Sequence, residues 1–146
     1  MSTSESALYR EAIRRTLANR VGDAPANAGA IAEATLKTWH QMSARLSPVI
    51  GAEGVDVLLD RSLHLTNTVY PWLAIAVYER ERATLLASIR KHLADRETDV
   101  AAEAGQTLLV NFVELLSTLI GESLTERLLG PVWASPSSVS EQEKSS

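Results

Sequence analysis

A chain of 146 residues with 45% apolar and 22% charged side chains is large enough for one hydrophobic core and too apolar for disorder. Cysteine is absent, which excludes disulfides, thiolate zinc sites, iron–sulfur clusters and cysteine nucleophiles. The formal charge of −4 argues against a general nucleic-acid binder, although Arg10, Arg14, Arg15 and Arg20 gather in the first segment.

Alanine, leucine, glutamate and arginine dominate, and no stretch alternates with the two-residue period of a strand, so the expected fold is all-α. Glycine, proline and loop signals divide the chain into about six helices. The first is expected over 4–20, with Leu8, Ala12 or Ile13, and Leu17 inward. The second covers 26–46, on a stripe of Leu36, Trp39, Met42 and Leu46. Ser47-Pro48 then fits a cap followed by a first-turn proline. The third covers 55–69, burying Val55, Leu58, Leu59, Ser62, Leu63 and Thr66 and exposing Asp60, Arg61, His64 and Asn67.

Pro71 opens the fourth helix, expected to reach residue 93. Its first stretch, "WLAIAVY", is apolar on every side and calls for burial at the centre or against a partner. The fifth, over 98–120, has only a narrow polar strip of Thr107, Asn111, Glu114 and Thr118, which marks it as the central helix. A short sixth covers 124–129. Residues 1–133 thus form the helical domain, and 134–146 a polar, mobile tail.

The chain also resembles itself at an offset of seventy residues. "LSPVIGAEGVDVLL" at 46–59 aligns with "LSTLIGESLTERLL" at 116–129, and Ala32-Glu33-Ala34 with Ala102-Glu103-Ala104. Halves at 1–69 and 70–133 related by duplication would explain this; so would chance in an alanine- and leucine-rich helical chain. Locally, Ile-Gly reads as a helix end and corner, with Gly121 as a left-handed cap. Ser123 and Glu126 then fit a capping box, and Gly54 a weaker cap in the first copy. A corner fits better than a ligand loop, because a lone glycine lacks the spacing of a phosphate-binding loop.

Chemistry finds little foothold. His40, His64 and His92 lie on different helices, and none carries the Glu-x-x-His or H-E-x-x-H spacing of a metal site. Asp60 and His64 fit a local i,i+4 surface pair. Haem is not expected, since Phe112 is the sole phenylalanine and the region after the second helix lacks a haem-packing aromatic. No metal or cofactor is therefore called for. G-x-S-x-G elbows and phosphate loops are absent too, so the chain reads as non-enzymatic.

Two features remain as candidates. Tyr70, Trp72 and Tyr78 surround the proline corner, where an aromatic cluster serves either as interface or as seal of the core. Asn111 and Glu114, on the most apolar helix, either line a ligand site, form a solvent-facing strip or bond to a neighbouring helix. The leading expectation is a cytoplasmic protein-interaction or regulatory module whose partner is another protein or a second copy, as in a homodimer. No nucleic acid or membrane is expected as partner, since the most apolar run, 108–120, is too short to span a bilayer. The alternative is a sensor-like domain holding a small apolar or cofactor-like ligand between helices.

Overall fold

The computed structural model describes residues 3–21, 27–73 and 81–133, with side chains from Tyr9 onward. Tyr78, most of the "WLAIAVY" stretch, the side chain of Leu8 and the 134–146 tail lie outside the described residues. Within them the protein is all-α, with five helices: α1 (Thr3–Val21), α2 (Ala28–Val69), α3 (Arg82–Ala94), α4 (Thr98–Ile120) and α5 (Glu122–Trp133). A 3-10 turn at Pro71–Leu73 follows α2.

The count differs from the expected six because α2 joins the second and third expected helices across a bend at Gly51. Ser47-Pro48 does not cap a new turn; both residues lie inside α2. Pro48 denies an amide hydrogen to the Ala44 carbonyl, but both residues are on the exposed side, where water can satisfy that carbonyl. Asn27 starts α2 instead of residue 26, its side-chain oxygen accepting from the Ala30 amide at 2.8 Å.

Gly51 and Gly121 carry almost the same backbone conformation, φ 84° and ψ 154° against φ 92° and ψ 156°. This is a mirror-extended region open essentially to glycine alone, rather than the left-handed helical cap expected at Gly121. Gly121 closes α4 by donating its amide to Ser117 at 2.8 Å. It also opens α5, its carbonyl accepting from the Thr125 amide at 3.1 Å and hydroxyl at 2.7 Å. Gly121 thus takes the N-cap place, so Ser123 falls inside α5 and the expected capping box is not formed. Gly54 likewise lies within α2, against the Ile50 side chain. A methyl group at Gly121 would meet no atom within 4 Å, so Gly121→Ala isolates backbone strain. We expect a loss of about 1–2 kcal/mol in chemical denaturation.

The leg of α2 over 28–50 matches α4, residues 98–120, in length and in its glycine corner. The two helices run side by side in the same direction: Ile31 packs with Ala101, Thr35 meets Gly105, and Trp39 lies edge-on to Phe112. Hydrophobic burial concentrates along this seam, with Met42, Leu46, Leu109, Phe112 and Leu116 fully enclosed. Six buried hydroxyls stay inside by bonding the carbonyl four residues back, at Thr16, Thr35, Thr38, Ser62, Thr66 and Thr125.

The other helices flank the central pair. α1 packs on α4, its Tyr9 hydroxyl 3.4 Å from that of Ser117. α3 packs on α2, with ion pairs from Arg90 to Glu33 at 2.9 Å and from Arg82 to Asp56 at 3.2 Å. α5 lies against the first leg of α2, where the Arg45 guanidinium donates to the Leu128 carbonyl. The second leg of α2 covers α4, burying the expected Val55, Leu58, Leu59, Ser62, Leu63 and Thr66. Among the described residues no helix is long and apolar enough to cross a membrane.

Candidate functional site

Where α2 ends, Tyr70 leaves helical geometry and Pro71 begins the 3-10 turn. The residue before a proline is pushed towards extended conformations, so the chain must turn here. Leu73 is then buried, while Tyr70 and Trp72 stay half-buried at the surface. Their rings meet edge to face, with centroids 5.9 Å apart. The Tyr70 hydroxyl reaches towards the Glu103 carboxylate on α4 at 3.5 Å. On the other side the Arg96 guanidinium sits over the Trp72 ring, 4.7 Å from its centroid.

Trp72 is also one wall of an open groove of about 740 Å³ whose opposite wall is α3. Ser88, Lys91 and His92 line that wall, and Asp95 and Arg96 close its end. His92 is half-buried, its Nδ1 2.7 Å from the Ser88 carbonyl. That contact selects the Nδ1–H tautomer and fixes the ring against the groove. The volume lies within the range of ligand pockets, but the open mouth makes it a surface groove rather than an enclosed cavity.

The remaining candidates fall elsewhere. Asn111 is half-buried and donates its side-chain amide to the Thr66 hydroxyl at 3.0 Å, tying α4 to α2. Glu114, one turn on, is also half-buried. Neither residue lines the groove beside Trp72. On the exposed face of α2, His64 Nδ1 lies 2.9 Å from the Asp60 backbone carbonyl and 3.8 Å from its carboxylate, the neighbour its spacing indicates. His40 is exposed against the edge of Trp39. Among the described residues no three His, Cys, Asp or Glu side chains cluster to hold a metal ion.

Charge elsewhere on the molecule is handled locally. Arg14 bonds Glu11 at 2.6 Å and holds its carboxyl below the usual range, one turn apart on α1. Burial pushes Arg20 below the usual guanidinium range, while it donates to Gln41. Sequence reasoning singled out Tyr70 and Trp72 but missed Arg96 and the α3 wall. These residues reach the corner only through packing of α3, and no short-range pattern announces that contact.

No family model, curated protein or solved structure matches the chain.

Proposed function

We propose that the protein is a non-enzymatic, intracellular protein-interaction module that docks its partner at the proline corner. The observation that carries this reading is the half-exposed Tyr70–Trp72–Arg96 cluster opening onto a groove. Tryptophan, tyrosine and arginine are the residues most enriched among binding hot spots, because each combines apolar area with a directional polar group. Hydroxyl-radical footprinting of the full chain tests it, comparing intact cells with purified protein. Tyr70 and Trp72 should oxidise more slowly in cells, and equal oxidation in the two states counts against a docked partner.

A second copy of the chain is the other partner to consider, because Val57, Leu65 and Val69 are 57%, 46% and 62% exposed along one ridge of α2. Their spacing by multiples of four follows the ridge that packs into the groove of a facing helix. The ligand-sensor alternative has less behind it, since the Asn111 amide is engaged by Thr66.

For the architecture, we propose two equivalent three-helix halves. The matched helix bounds at 28–50 and 98–120, the twin corners, and the contact of position 35 with position 105 support this. Residues seventy apart can meet in this way when a local twofold axis runs between the parallel helices. Gly51→Ala is then expected to lose the same about 1–2 kcal/mol as Gly121→Ala. A large inequality between them would contradict equivalent corners.

A further inference from the structure

We propose that the groove beside Trp72 receives an acidic segment of a partner protein, its carboxylates on Arg96 and Lys91 and an apolar side chain against the indole. The inference rests on the docking function above and adds the chemistry of the partner. Two cationic side chains, Lys91 and Arg96, line the groove against one acid, Asp95. In a chain of net charge −4 that local balance is reversed. The lysine and arginine ion pairs among the described residues engage Arg14, Arg15, Arg82 and Arg90, and none reaches Lys91 or Arg96.

Arg96 is also preorganised. A guanidinium laid on an aromatic face keeps its planar N–H fork for a carboxylate, and the stacking reduces the rotamer freedom lost on binding. Lys91, exposed on the opposite wall, supplies a second cationic point across the groove. Trp72, on the wall facing Lys91, offers the apolar contact. A polyanion such as nucleic acid suits the surface less well, because its many phosphates would meet the net negative field of the whole chain.

The test uses the full chain and a fluorescein-labelled peptide of about twelve residues, alternating glutamate pairs with leucine pairs, alongside glutamine and lysine versions. The glutamate peptide should bind and shift the backbone amide resonances of Trp72, Ser88, Lys91 and Arg96. Arg96→Glu and Lys91→Glu, with folding checked by circular dichroism, should each weaken it about tenfold, and Arg96→Gln less. Equal binding of the glutamine peptide at the same amides overturns the acidic preference while leaving the docking site in place. Failure of all three peptides to shift those amides overturns both.

Discussion

Replacing Phe112 with alanine should destabilise the protein by about 3–5 kcal/mol, a large share of the roughly 5–15 kcal/mol that holds a domain together. Phe112 has no accessible surface and lies on the α4 side of the central seam. Its ring stands at 85° to that of Trp39, with centroids 6.4 Å apart. Truncation removes the transfer energy of the ring and this edge contact, and leaves a void between two helices pinned from outside by α1, α3 and α5. Neighbours held that way cannot collapse fully into the space. Urea unfolding should show a lower midpoint with an unchanged slope, and a loss below about 1 kcal/mol would mean that the seam is not the core.

Gly105→Val should cost about 3 kcal/mol for the opposite reason, overfilling. A β-carbon at Gly105 would stand 2.6 Å from the Thr35 hydroxyl oxygen and 3.3 Å from its methyl. Thr35 has little room to yield, being buried, β-branched and bonded to the Ile31 carbonyl at 2.8 Å. Helix propensity works the other way, since valine exceeds glycine by a few tenths of a kcal/mol, too little to offset the clash. Pairing the change with Thr35→Ala should recover at least about 1 kcal/mol in a double-mutant cycle. Strict additivity would show that positions 35 and 105 do not touch.

These residues show where the sequence spoke and where it did not. The inward set of the second leg of α2 follows from its 3.6-residue period, and each of its members is buried. The limits of α4 coincide with the expected 98–120 because a glycine corner and a loop bound a nearly all-apolar run. Thr35 and Thr38 were less legible. Their hydroxyls are satisfied by the helix's own carbonyls, so polar side chains sit in the seam without a polar partner to betray them. Gly105 reads as a weak spot in a helix until its neighbour across the seam is known.

The candidate site divides in the same way. Tyr70 and Trp72 stand out because aromatic residues around a proline are uncommon in a chain only 5% aromatic. Arg96 joins them through the return of the chain after α3, a contact that propensity and periodicity do not encode. Asn111 was singled out for its polarity on an apolar helix, and its hydrogen bond to Thr66 ties the two helices together.

Docking at the proline corner can be read out with a photocrosslinking residue at position 70 in cells, with and without Arg96→Ala. A discrete protein adduct should form and disappear with Arg96→Ala, while the thermal unfolding midpoint stays within a few degrees, since Arg96 is exposed. An adduct indifferent to Arg96, or no adduct from position 70 in the folded chain, would contradict it.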